Sequence, residues 1–183
     1  MRLNRLVIGA LVIVVAMLSG GAMVVSAERS VVEARIAVAA NFRDTAEAIA
    51  LHLEAHSDYR YDIIVGSTGK LASQIINGAP FDVLMAADRA RPQRLVEEGF
   101  AVADSLRTYA LGELGLWWPE AGQPIAISDL SALDPRDICL ANPTLAPYGS
   151  AALTVLREAG FSETVLAGLV RVDNVNLVTA MVA

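Results

Sequence analysis

The sequence predicts an α/β protein with mostly parallel sheets, divided into two lobes. Three observations carry that prediction. A unit of short apolar strand, tight loop and helix recurs over residues 34–100 and again over 136–183, and such alternation builds parallel sheets with helical crossovers. Between the two series lies "RTYALGELGLWWPE" (107–120), a half-alternating, β-prone run that reads as a strand passing from one lobe to the other. The length of 183 residues is enough for one full domain or two small lobes.

The elements follow in order. Arg2 and Arg5 precede an apolar run over 6–25, which ends in the small residues Val25-Ser26-Ala27. This is the pattern of a secretory signal peptide, cleaved after Ala27. The competing reading is a retained anchor, since the run is long enough to span a bilayer; the adjoining cleavage pattern favours removal. "ARIAVAA" (34–40) is a strand and "FRDTAEAIALHLEAH" (42–56) an amphipathic helix, with Ala46, Ile49, Ala50 and Leu53 on one face. "YDIIVGS" (61–67) is a second strand, and "GKLASQIINGAP" a helix stopped by Gly78 and Pro80. "FDVLMAAD" (81–88) is a third strand, followed by a helix in "RPQRLVEEGF" capped by Gly99. Beyond the crossing run, "ISDLSAL" is a short helical turn and "RDICLANP" (136–143) a strand. "YGSAALTVLREAG" (148–160) is a helix, "LVRVDN" (169–174) a strand, and "VNLVTAMVA" (175–183) begins a helix. The expected division is a signal peptide at 1–27, a first lobe at 28–107 and a second at 108–183.

Composition removes several function classes. The formal net charge is −6, and loss of Arg2 and Arg5 with the signal peptide makes it more negative, which argues against a nucleic-acid partner. Cys139 is the single cysteine, so no internal disulfide can form. It falls in a strand, where a buried inert thiol is expected rather than a nucleophile. His52 and His56 share one helix at metal-ligand spacing, but no third ligand is evident nearby, so they read as a solvated face. An enzyme such as a small-acid hydrolase would need a catalytic triad, and no combination of these residues supplies one.

The most suggestive stretch is "GSTGK", residues 66–70, set between a strand and a helix. A phosphate-binding P-loop needs Gly-x-x-x-x-Gly-Lys-Ser/Thr. Here the first glycine position holds Ile64 and the residue after Lys70 is Leu71, so this is not a mononucleotide loop. It still offers N–H groups and the hydroxyls of Ser67 and Thr68 at a helix N-terminus, which is an anion site in outline. Plain N-capping is the competing reading. Three other turns repeat the arrangement: Asn41, Tyr148-Gly149-Ser150, and Asp173-Asn174-Val175. Each follows a strand and opens a helix, so all four belong at the carboxyl ends of the sheets, where ligands of such folds bind. The donors are neutral. Lys70, the only lysine, lies past its turn and is expected to point to solvent; Arg43 and Arg171 flank two turns. Acceptor-only anions suit such a site, whereas protonated phosphate would need an acceptor, and Asp173 is the one to check.

"AVAANF", "GSTGKLASQI", "NGAPFDVLMAAD", "ANPTLAPYGSAA" and "VDNVN" resemble, in this order, the motifs of the periplasmic molybdate-binding proteins of ABC importers. The resemblance covers residues 34–183. It implies a two-lobed type II periplasmic-binding-protein fold with mixed, mostly parallel sheets. It implies capture of molybdate or tungstate between the lobes, as an oxyanion without direct metal ligands and without a cofactor. The contacts carried over by motif are Asn41 (side chain and backbone), Ser67 (hydroxyl and N–H), and the backbone N–H groups of Tyr148 and Val175. The Tyr148 ring packs toward the hinge in the competing reading, and Asn174 serves as a helix cap. The implied protein is periplasmic and monomeric, is not an enzyme, and delivers its anion to an ABC transporter permease. The alternatives are a binding protein for another tetrahedral oxyanion such as sulfate, or a sensor module of the same fold. Family members continue for some tens of residues past the point matching Ala183. The resemblance therefore implies an incomplete second lobe and C-terminal return, with residues 28–183 alone poorly stable and weakly binding.

Overall fold

A computed structural model describes residues 32–183; the signal peptide expected at 1–27 lies outside them. Five strands and six α-helices lie along this span. They are β1 (Val32–Ala39), α1 (Arg43–Glu54), β2 (Tyr59–Gly66), α2 (Thr68–Ile76), β3 (Val83–Met85) and α3 (Ala90–Glu97), then β4 (Cys139–Ala141), α4 (Pro147–Glu158), α5 (Glu163–Gly168), β5 (Val170–Val172) and α6 (Val175–Val182). They form two sheets. The first has the order β2-β1-β3, with β1 central and parallel to both neighbours. The second pairs β4 with β5, also parallel.

The register positions the turns. Ala39 at the end of β1 lies opposite Gly66 at the end of β2, and Ala141 of β4 lies opposite Val172 of β5. In each sheet the carboxyl ends are therefore level, and the chain leaves them side by side. A helix follows each of these strands, and those after β1 and β4 begin the crossovers that bring the chain to the parallel neighbours β2 and β5.

The two sheets have different cores. β1 is buried through Ala37, Val38 and Ala39, and α1 lies against the sheet through Ala46 and Ala50. Only the small positions of the predicted α1 face are used. Ile49 and Leu53 are 46% and 41% exposed. The second core is a leucine cluster of Leu130, Leu140, Leu153, Leu156, Leu166 and Leu169. Burial of each such side chain stabilises the fold by about 1.5–3 kcal/mol.

Two expectations need correction. The run 107–120 is not a strand: residues 106–118 form no regular element and no ladder pairing among the described residues, and a 3-10 turn covers Pro119–Ala121. Strand propensity is realised only beside a partner strand, and what holds this segment is side-chain contact with distant parts of the chain. Tyr109 donates its hydroxyl to the Ala86 carbonyl at 2.8 Å and sets its ring edge-on to Phe42 at 5.0 Å. The second correction is α5, which the sequence reading passed over. Ser162 is its N-cap and accepts from the Val165 N–H, so a serine ahead of an apolar run was the available signal. The Gly99 cap holds, with φ +79° just past the end of α3.

Candidate functional site

Four turns meet where the carboxyl ends of the two sheets face each other. Asn41 sits in the 3-10 turn Ala40–Phe42 between β1 and α1. Ser67 is the single residue between β2 and α2. Tyr148 is the second residue of α4 and Val175 the first of α6. All four line one cavity, whose volume is about 10 Å³. That is room on the scale of a single water molecule or a compact ion, and far below what a sugar or peptide requires. Ala146 and Pro147, which sequence reasoning missed, complete its wall with Ala40 and Asn174. Proline at the first position of α4 was a readable signal, since the missing N–H costs nothing there; it moves the helix start from the expected 148 to 147.

The donors are distributed as follows. Ser67 is 3% exposed. It stands at the N-cap of α2 with extended backbone, yet its side chain makes no cap hydrogen bond. Among the described residues its Oγ is the buried side-chain atom without a hydrogen-bond partner. The capping reading therefore does not account for it. Thr68 differs, because its Oγ1 accepts the Ala87 N–H at 3.0 Å and so ties α2 to the turn after β3. Asn174 is a cap: its Oδ1 accepts from the N–H groups of Asn176 and Leu177. The N–H groups of Tyr148 and Val175 fall in the first turns of α4 and α6, where helix geometry provides no intrahelical acceptor. Three helix N-termini thus converge on the cavity, each with the positive end of its dipole.

No residue lining the cavity carries a charge at neutral pH. The nearby charges are committed to each other. Contrary to the expectation of a solvent-facing lysine, the Lys70 ammonium donates to the Asp173 carboxylate, 103 residues away in the chain. Asp173, the acceptor singled out in the sequence, is engaged by that pair. Gly69 answers the question raised by its loop. Its N–H donates to the Leu145 carbonyl at 2.8 Å, and a Cβ at Gly69 would lie 2.9 Å from that oxygen. The glycine admits the backbone of the second sheet's turn, not a phosphate.

The aromatic groups pack as the hinge-side reading of Tyr148 expects. Its phenolic oxygen abuts Gly112 in the crossing segment, where any Cβ would collide with it. Burial, with a smaller contribution from Tyr148, pushes the Tyr109 phenol up, so it remains a neutral donor to Ala86. Cys139 is half-buried in β4 with Met181 as its sulfur neighbour, and burial pushes its thiol up, away from nucleophilic use. His52 and His56 are exposed, with ring centroids 4.6 Å apart and His56 Nδ1 2.7 Å from the His52 carbonyl oxygen. A larger concavity of about 970 Å³ runs along β3, α3 and residues 100–112, lined by Leu84, Leu95, Phe100 and Val102. None of the four donor residues reaches it.

Comparison with known proteins bears on this geometry. Residues 34–183 match the family described as bacterial extracellular solute-binding protein. The molybdate-binding protein ModA of Azotobacter vinelandii is 38% identical over 154 residues, covering 82% of this chain and 60% of its own length. The protein of the same name from Rhodobacter capsulatus is 39% identical over 131 residues, 70% of this chain and 51% of its own. The solved structure of the Azotobacter vinelandii periplasmic molybdate-binding protein superposes with a TM-score of 0.75 at 33% identity, covering 82% of this chain and 66% of that one. The substrate-binding domain of a putative molybdenum ABC transporter from Clostridium difficile superposes with a TM-score of 0.57 at 25% identity. The chain thus spans between about half and two thirds of the length of these relatives.

Proposed function

Because the chain belongs to the bacterial extracellular solute-binding protein family, we propose that it captures molybdate, or tungstate, outside the cytoplasmic membrane for the permease of an ABC importer. Its fold is the α/β type II solute-binding fold. In this reading residues 28–107 and 108–183 are the lobes, residues 1–27 direct export, and no cofactor is needed.

The observation that carries the reading is Ser67. A hydroxyl buried without a partner costs about 1–3 kcal/mol, and this one lines an ion-sized cavity at a helix N-terminus. An oxyanion there would accept from Ser67 Oγ, from the Asn41 side chain and from the N–H groups of Tyr148 and Val175. Each bond to the charged ligand contributes roughly 1.5–3 kcal/mol. The names of the relatives point to the same ligand class.

The uncharged wall, rich in N–H and O–H donors and without a carboxylate, sets the selectivity. A fully deprotonated tetrahedral anion presents acceptors in every direction. Hydrogen phosphate presents one proton that needs an acceptor, and the Asp173 carboxylate is already held by Lys70. Sulfate has the right protonation but is the smaller anion. Titration calorimetry of the whole chain with molybdate, tungstate, sulfate and phosphate tests this. Molybdate and tungstate are expected to bind, sulfate much more weakly and phosphate least. Equal affinity for sulfate and molybdate would refute the assignment.

A further inference from the structure

We propose that Lys70 and Asp173 form a latch that sets how long the anion stays bound, with the N–H of Gly69 and the Arg91 guanidinium as its flanking catches. The inference rests on the binding reading of the cavity and adds its control of release.

The three contacts join the same two bodies. Gly69 N–H donates to the Leu145 carbonyl, from α2 to the turn after β4. Arg91 Nη2 donates to the Thr144 carbonyl at 2.9 Å, from α3 to that same turn, while the Asp88 carboxylate holds the guanidinium in place. The Lys70 ammonium meets Asp173 in the turn between β5 and α6. Lys70 lies three residues after Ser67, and Asp173 two residues before Val175. The ion pair is therefore mounted on the very turns that present one donor from each sheet. Whenever those turns approach to surround an ion, the pair forms; when they part to admit or release it, the pair breaks.

The arrangement also explains why charges stand beside a neutral cavity. In the parted state Lys70 attracts an anion and Asp173 repels it. In the joined state they neutralise each other, and the anion is left to the uncharged donors. Side-chain exposures of 48% and 50% keep both groups in contact with water, so breaking the pair strands no buried charge and release stays fast enough for delivery. An exposed pair of this kind is worth only a few-fold in an equilibrium, and changes of that size within one interface fall mainly on dissociation.

The test is stopped-flow dissociation of molybdate from the whole chain and from Lys70→Ala, Asp173→Asn and the charge-swapped double variant Lys70→Asp/Asp173→Lys. Each single variant is expected to release molybdate about two- to five-fold faster, and the swapped pair to return toward the parent rate. High salt should speed release from the parent and leave Asp173→Asn nearly unaffected. Melting of the ligand-free proteins separates a latch from a structural ion pair, since a latch leaves those melting points together whereas a structural pair lowers them in the single variants. A parent that binds molybdate while both single variants release it at the parent rate overturns the latch alone. A parent that binds no molybdate overturns the reading of the cavity and the latch with it.

Discussion

Replacing Ser67 by alanine should weaken molybdate binding without destabilising the ligand-free protein. Most substitutions of a buried polar residue do the reverse, so the prediction is specific to an unpaired hydroxyl. Ser67 is 3% exposed, makes no cap hydrogen bond, and its Oγ has no partner among the described residues. With ligand bound, the lost bond is one to a charged acceptor, worth roughly 1.5–3 kcal/mol, which corresponds to an affinity about 10- to 150-fold weaker. Without ligand, removing the hydroxyl relieves a desolvation cost of up to about 1–3 kcal/mol. At about 2–4 °C per kcal/mol for a chain of this size, the melting point should stay level or rise by a few degrees. The assay is paired: calorimetric affinity for molybdate, and thermal melting with and without it, where the ligand-induced rise should shrink in the variant. A melting point several degrees lower with unchanged affinity would show that the hydroxyl serves the fold, and would refute the reasoning.

Gly69→Ala should separate binding from folding in a second way. The new Cβ would lie 2.9 Å from the Leu145 carbonyl oxygen and 3.1 Å from its Cα, and overpacking of this kind costs about 1–3 kcal/mol. If that cost falls on the approach of the two sheets, calorimetry will show molybdate affinity roughly 5- to 150-fold weaker while the ligand-free melting point changes little. Asn174→Ala removes the cap that accepts from Asn176 and Leu177 and should destabilise α6 by about 1 kcal/mol. Asn174→Ser or Asn174→Asp should restore the melting point.

The four donor turns were legible because they depend on chain order alone. In a parallel sheet every strand-to-helix turn lands at the same end, so recognising the strands placed the turn of Asn41 beside that of Ser67, and the turn of Tyr148 beside that of Val175, each pair at the end of its own sheet. That the two ends face one cavity, and that these four residues present the donors, was implied by the family resemblance and not by chain order. Pairings across sequence distance were not legible. Nothing near Lys70 announces a partner 103 residues on, and its position beyond the turn pointed toward solvent. The crossing segment was misread for a related reason: aromatic and alternating residues at 107–118 carry strand propensity, but a strand exists only where another backbone completes the ladder. Capping chemistry failed in both directions. Ser67 matched a cap by position and is not one, while Ser162 is a cap for a helix too short to show a period.

The loop "GSTGK" shows why a motif must be read through its contacts. A strand, a glycine turn and a helix N-terminus meet the same local demand in a nucleotide loop and here, namely a close backbone approach and unpaired N–H groups. The difference lies in what approaches. At Gly69 it is the Leu145 carbonyl, so the space a phosphate would need is taken by the second sheet. At Lys70 the charge is matched by Asp173, so it does not remain to hold a ligand. What the turn leaves unmatched is the Ser67 hydroxyl, with the dipole of α2 behind it. A site made of what remains meets an anion with dipoles rather than a mobile cation, and around the buried Ser67 those interactions are screened by salt much less than exposed charges are. The affinity should therefore change with ionic strength by no more than the few-fold that the exposed ion pair contributes through the rate of release, far less than for a site that holds its anion with mobile cations.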